Sequence, residues 1–391
     1  QWWKDRLQKM AEYFDAFRID HILGFFRIWE IPFESVEGIL GYFNPSLAFN
    51  EDEILERGIH FDYDRLCKPY IREHFIHERF GDLLQEAKDT FLEEFYPGCY
   101  AVKPQFNSQR KVAEYLADEP SDTNAQRMHK ERLKHGMFSI LAELIFIPNP
   151  YGDKPSYFPR STLHYTNSFK ELDDHQKNAI HDLYLDYFYK RNEEFWRQQA
   201  MIKLPAIKKS TNMLICGEDL GMVPLVVPDV MNDLCILSLG IQRMPKNSKI
   251  EFNHPEDYPY LSVATPSSHD MSTIRGWWES DPAKAQYFHN HILGNHGNSP
   301  FFCEPWVVEQ ILDQHFYSPS MLAVFPIQDL LGMDEDLRFK DTREERINVP
   351  ANPQNYWRYR MHISIEELLQ QGGFNNKVFN KISDSGRLFA Y

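Results

Sequence analysis

An α/β fold built on parallel strands is what the sequence predicts, and three observations carry it. Short apolar runs recur along the chain, each ends abruptly in polar or charged residues, and helical stretches separate most of them. Consecutive parallel strands that each end in polar groups read as a (β/α) barrel, with its functional groups gathered at the C-terminal ends of the strands. A doubly wound sheet shares the alternation, but no Gly-rich phosphate loop follows any of the runs.

Residues 1–15 read as a helix, with Trp2, Trp3, Leu7, Met10 and Phe14 on one face. The first strand follows and closes in Phe17-Arg18-Ile19-Asp20-His21, after which Gly24 lets the backbone turn away. Side chains alternate along a strand, so Arg18 and Asp20 share one face while Phe17, Ile19 and His21 share the other. A guanidinium beside Asp20 favours the ionised carboxylate, which a nucleophile requires and a proton donor does not. Taken alone, a structural Arg–Asp pair accounts for this stretch equally well.

From residue 51 to 207 the texture changes to long polar and amphipathic helices with no repeat period, such as residues 64–96, 108–147 and 170–200. This region is expected to be a mainly helical insertion, dividing the barrel into segments 1–50 and 208–391. The pattern of apolar run then charge resumes in residues 213–224, where glycine precedes Glu218 and Asp219. These two point oppositely if extended, so only one of them can face a cleft. Residues 236–241 pass into Gln242 and Arg243, residues 261–266 into Ser267-Ser268-His269-Asp270, and residues 321–326 into Ile327-Gln328-Asp329.

Composition narrows the function. The 42 basic and 57 acidic residues give a net charge of -15, which repels nucleic acid and anionic lipid surfaces and points to a neutral substrate. Aromatic residues make up 15% of the chain, a high share that suits either a large core or a sugar-binding cleft. Trp277, Trp278 and Trp306 could stack on sugar faces or fill the core. The five cysteines are odd in number, widely spaced and without a CxxC pair, which fits a reducing cytoplasm. No apolar run is long enough to span a membrane, and the first residues have no signal-peptide pattern. No cofactor or metal is expected: His74 and His77 lack a zinc-protease continuation, and His289, His291 and His296 lack tight ligand spacing.

Three carboxylates at three strand ends, Asp20, Glu218 and Asp270, suit chemistry at a glycosidic bond. A retaining mechanism needs one ionised carboxylate as nucleophile and one carboxylic acid to protonate the leaving oxygen, about 5 Å apart. Asp20 beside Arg18 fits the first role. Glu218 follows an apolar strand with no basic residue close by in sequence and fits the second. Asp270, next to His269, is placed to grip sugar hydroxyls as the ring distorts.

The segments Phe17-Arg18-Ile19-Asp20-His21, Gly217-Glu218-Asp219-Leu220-Gly221 and Ser268-His269-Asp270 resemble the catalytic signatures of the amylomaltases, 4-α-glucanotransferases of glycoside hydrolase family 77. Gln328-Asp329-Leu330-Leu331-Gly332 and Arg346-Ile347-Asn348-Val349-Pro350 extend the likeness. The resemblance implies a (β/α)8 barrel with Asp20 as nucleophile, Glu218 as general acid/base and Asp270 as transition-state stabiliser. It further implies substrate contacts from Arg18, His21, His269, Gln328 and Asp329. The long insertion, with Gly41-Tyr42-Phe43-Asn44-Pro45-Ser46 and Phe61-Asp62-Tyr63-Asp64-Arg65-Leu66, is similar to the disproportionating enzyme 2 branch. Members of that branch use maltose as donor and glycogen-like glucans as acceptor, so the expected partners are maltose, maltooligosaccharides and glycogen or another α-glucan. With five strand ends against eight in the family barrel, the resemblance leads to the expectation that the first three strands lie before Gln1 and that this chain is the C-terminal part of the barrel. An α-amylase-type hydrolase and a glucan-binding module without catalysis are the alternatives that share these residues.

Overall fold

The computed structural model describes residues 1–388 apart from Ser248. The chain divides into two compact units, the first formed by residues 1–23 and 202–391 and the second by residues 24–201.

The first unit holds the five predicted runs as strands: β1 (Ala16–Ile19), β2 (Leu214–Gly217), β3 (Ser238–Ile241), β4 (Ser262–Thr265) and β5 (Leu322–Ala323). β1 pairs with β2 in parallel, β3 with β4 and β4 with β5, and a parallel bridge from Cys216 to Leu237 joins the two groups. All five therefore run the same way in chain order, and their C-terminal ends share one edge. Helices cross back between them, Val226–Asp233 after β2 and Ile274–Ser280, Pro282–His291 and Pro305–Phe316 after β4. The connection from β3 to β4 is different and, among the described residues, carries only the 3-10 turn Pro255–Asp257. The opening helix spans Trp2–Met10, shorter than the periodicity predicts, and of its apolar face only Leu7 is buried.

An apolar cluster of this unit lies among the later helices, where Trp278, Phe288, Val307, Ile311 and Leu312 pack with Phe374 from the helix Gly372–Asp384. His315 is buried beside them with Nδ1 donating to the Ile311 carbonyl at 2.7 Å, while Nε2 is buried without a partner among the described residues. Burial in these surroundings lowers its pKa from 6.5 to about 4, and the charge of Arg243 acts in the same direction. The unfolded imidazole takes a proton below about 6.5 and the folded one only near 4, so stability is lost as pH falls across that window. The full shift is worth about 3 kcal/mol. Urea melts at pH 7 and pH 4 should show this loss, and His315→Gln should abolish it; the same slope in both proteins would exclude His315 as its source.

The second unit is built mostly of helices and adds short antiparallel strands that the sequence reading does not mark. Its sheets are the hairpin of Ile28–Glu30 with Tyr42–Asn44, the group Phe49–Asn50, Ser156–Pro159 and Phe146–Pro148, and the group Ile71–Arg72, Cys99–Val102 and Leu92–Tyr96. Strands of two to five residues carry too little alternation to stand out among amphipathic helices. The unit also begins at Gly24, ahead of the change in texture at residue 51. Packing explains this, because Phe43 of the first hairpin sits against Tyr187, Phe188 and Trp196 of the late helices. A second apolar cluster, including Ile76, Phe80, Phe91, Val112, Leu133 and Met137, fills the space around the helix Asn124–Leu141.

Candidate active site

The β1–β2 register pairs Ala16 with Leu214 and Ile19 with Gly217, so the next step along both strands brings Asp20 level with Glu218. The backbone continues the ladder there, with Glu218 N donating to the Ile19 carbonyl at 2.9 Å and Ile22 N to the Glu218 carbonyl at 3.0 Å. Between these bonds His21 adopts a left-handed conformation, φ 48°, an uncommon state for a residue with a Cβ. That turn aims the His21 N–H at Oε2 of Glu218 at 2.9 Å, and Leu220 N donates to Oε1 at 3.2 Å. Both carboxylate oxygens of Glu218 are thereby fixed, each keeping a second lone pair for a proton.

Gly217 makes this close approach possible. A Cβ there would lie 2.7 Å from Cδ1 of Ile22 and 2.9 Å from Cε of Met231. Ile22 is fully buried at this point and anchors the turn after Asp20.

Asp20 itself is open to solvent, 76% exposed at the side chain, with Oδ1 at 2.7 Å from Nη1 of Arg18. An exposed pair of this kind adds about 0–1 kcal/mol of stability at most. Its effect is to orient a reachable carboxylate. Asp219 is the opposite case, 1% exposed, accepting from Leu239 N of β3 at 2.9 Å and from Nζ of Lys246 at 2.5 Å. Burial pushes the Asp219 carboxyl up and Lys246 opposes it. Of the two adjacent carboxylates, Glu218 is therefore the available one.

Asp270 lies beyond the end of β4 and stays half exposed, its Oδ1 accepting from the Asn348 side chain at 2.8 Å. His269 Nε2 stands 3.1 Å from Oδ2, and the His269 ring is 5.7 Å from that of Trp357. Asn355 braces Asn348 at 2.9 Å, and Nε of Arg346 donates to the Asn348 carbonyl at 2.9 Å. Asn348 and Arg346 stand in the sequence stretch that carries the resemblance, whereas Asn355 and Trp357 have no sequence signal of their own.

The loop that presents Asp270 is held from beneath. Arg243, at the end of β3, donates to Pro266 O at 3.0 Å, Ser267 Oγ at 2.6 Å, Ser272 O at 2.9 Å and Thr273 O at 3.3 Å. Burial pulls its guanidinium down to about 10. Gln328 and Asp329, expected at the substrate, are instead buried below this loop at 5% and 1% exposure. Asp329 accepts from Ile274 N at 2.8 Å and Gln328 donates to the Glu345 carbonyl at 3.4 Å. Burial pushes the Asp329 carboxyl up, with the charge of Arg243 opposing. The reason for the difference is local: after β5 the helix Ile327–Leu331 turns both side chains toward the core, not outward from the strand. Glu345 completes the support, pairing with Arg275 and accepting from Thr273 Oγ1 at 2.8 Å.

A cavity of about 1210 Å³ elsewhere in this unit runs beside β3 and is lined by Asp219, Lys246, Phe252 and Tyr258. None of Asp20, Glu218 and Asp270 lines it, so the chemistry is assigned by the strand ends and not by this cavity. Trp278 is buried with its indole N–H on Pro300 O at 2.9 Å, and Trp277 packs on Phe252 and Phe288, so both serve the core; Trp306 is 41% exposed. Among the described residues, no group of three or more His, Cys, Asp and Glu side chains is placed to hold a metal ion.

Comparison with known proteins gives the family of the chain. A family model described as 4-alpha-glucanotransferase matches residues 1–365. The chain is 39% identical over 388 residues to the 4-alpha-glucanotransferase DPE2 of Oryza sativa subsp. japonica, covering 99% of this chain and 41% of that protein. It is 33% identical over 189 residues to a 4-alpha-glucanotransferase of Chlamydia caviae, covering 46% of this chain and 34% of that one. The chain thus spans less than half the length of these curated relatives. Among solved structures, the amylomaltase of Streptococcus agalactiae in complex with acarbose aligns over 86% of this chain and 76% of its own, with a TM-score of 0.37 and 13% identity. With the family model covering all but the last residues, the chain belongs to the 4-alpha-glucanotransferase family.

Proposed function

We propose that this chain carries the catalytic groups of a retaining 4-α-glucanotransferase. The observation that carries the reading is the parallel register that sets Asp20 beside Glu218, with the His21 N–H fixing the Glu218 carboxylate. Asp20 attacks the anomeric carbon of the donor while Glu218, protonated, gives its proton to the departing glycosyl oxygen. The result is a glycosyl ester on Asp20 and a free sugar hydroxyl on the leaving saccharide. In the second half Glu218 takes the proton of an incoming sugar hydroxyl, whose oxygen displaces Asp20 and restores the carboxylate. Asp270 and His269 hold hydroxyls of the reacting sugar, and Arg18 and His21 orient the nucleophile and the acid/base. Gln328 and Asp329 act as positioning residues through the loop that carries Asp270.

Maltose or a maltooligosaccharide as donor and glycogen or another α-glucan as acceptor fit the family and the branch signature of the insertion. The five parallel strands are read as the C-terminal strands of a (β/α)8 barrel, and the cytoplasm as the place of action. None of the described helices is long and apolar enough to cross a membrane. Hydrolysis uses the same carboxylates, with water in place of the acceptor hydroxyl, so products decide between the two. Incubation of the full-length protein with maltotriose and glucose should redistribute chain lengths while the number of reducing ends stays constant. Reducing ends that rise steadily at high acceptor would instead assign a hydrolase.

A further inference from the structure

We propose that the second unit has a saccharide-binding site of its own, in a cavity of about 300 Å³ lined by Arg79, Arg160, Glu37, Glu143, Thr162 and Tyr165. The choice of an α-glucan end as its occupant rests on the glucan-transfer reading above; the site itself rests on the following geometry.

Arg160, just past the strand Ser156–Pro159, is 5% exposed. Its Nη1 donates to Ser161 O at 2.9 Å, but its buried Nε has no hydrogen-bond partner among the described residues. A charged donor without a partner in a buried place is uncommon, and Arg160 meets the cavity through the rest of its side chain. Arg79 is held only loosely, at 3.5 Å from Glu78 and 3.9 Å from Glu143, so its fork also has donors to offer. Glu143, 4% exposed, takes the Ser168 N–H at 3.1 Å, and Glu37 takes the Gln109 side chain at 2.7 Å. Each keeps lone pairs free. Thr162 closes the wall in a left-handed conformation, φ 54°, and Tyr165 stands at the rim with 77% of its surface exposed.

Two guanidiniums against two carboxylates leave the cavity close to neutral, which disfavours a phosphate, because its oxygens would face Glu37 and Glu143. Sugar hydroxyls both donate and accept, and so satisfy guanidinium and carboxylate together. An exposed tyrosine ring beside such a cleft offers an apolar face for the C–H side of a pyranose. The volume is at the small end of ligand sites and suits one or two sugar rings.

The test uses full-length protein carrying Asp20→Ala, so that bound sugar is not turned over, titrated calorimetrically with maltotriose and separately with inorganic phosphate. Two classes of maltotriose site are expected, one of which is lost in Arg79→Ala and in the surface variant Tyr165→Ala. With Asp20 restored, those two variants should keep kcat between maltotriose and glucose while KM for glycogen rises at least about fivefold. A single class of site unchanged by either variant would overturn the proposal, as would binding of phosphate and not maltotriose at the Arg79-dependent site. Arg79-dependent maltotriose binding in a protein without transfer activity would uphold this site and sink the catalytic reading instead.

Discussion

Asp20→Ala in the full-length protein is expected to lower turnover on maltotriose plus glucose by about 10⁴-fold or more, with folding unchanged. The size follows from the carboxylate's place in the reaction: it forms the covalent bond, so no neighbouring group can supply a fraction of its effect. The unchanged fold follows from its exposure, 76%, and from an ion pair with Arg18 that is also largely in solvent. Glu218→Gln should act differently. It keeps an oxygen to accept from His21 N and so keeps the turn, but has no proton to give, and activated donors with good leaving groups should recover the first step only. An Asp20→Ala protein with a thermal melt like wild type and more than a hundredth of its turnover would remove Asp20 from the nucleophile's place.

Much of this arrangement is legible in the amino-acid sequence. Each of the five strands lies where an apolar run meets charge, because a parallel strand buried along its length must be apolar and its mouth need not be. The placing of Asp20 beside Glu218 needs only two such runs paired in parallel. Strand alternation alone does not say which of Glu218 and Asp219 faces out, although the sequence surroundings and the family signature both favour Glu218. That choice is made by Lys246 and Leu239 N, which come from a different strand and the turn beyond it and draw Asp219 inward. Local alternation says only that the two differ.

The supports were legible least. The resemblance implies substrate contacts from Gln328 and Asp329, yet they sit in a helix whose inward face they occupy. The hold of Arg243 on residues 266–273 depends on a guanidinium reaching across from β3 to the loop after β4. No spacing rule in a single sequence reports a contact of that kind. The strands of the second unit escaped for the other reason, being too short to impose a period.

Glu345→Ala should be the most destabilising single change near the site, costing about 3–5 kcal/mol. Glu345 and Arg275 are paired at 1% and 6% side-chain exposure, and the Nη1 that meets Glu345 also donates to the Phe339 carbonyl at 2.8 Å. Removing the carboxylate leaves a buried guanidinium without a countercharge and takes the acceptor from Thr273 Oγ1, which caps the helix Ile274–Ser280. The loop bearing Asp270 should then loosen, so kcat falls along with stability. Burial pushes the Glu345 carboxyl above its ordinary 4.5 even with Arg275 beside it. A folded carboxyl that holds its proton more tightly than the unfolded one contributes stability at low pH that is lost as pH rises through the folded value. Glu345→Gln keeps the Thr273 bond and cannot titrate, so it should cost less than Glu345→Ala and flatten the stability profile above about pH 4.5. Replacing both partners, with Arg275→Met and Glu345→Leu together, should recover most of the stability lost in Glu345→Ala, because the charge stranded by the single change is gone. Urea melts of the four proteins measure these differences, and a Glu345→Ala protein within about 1 kcal/mol of wild type would mean the pair does not hold the loop.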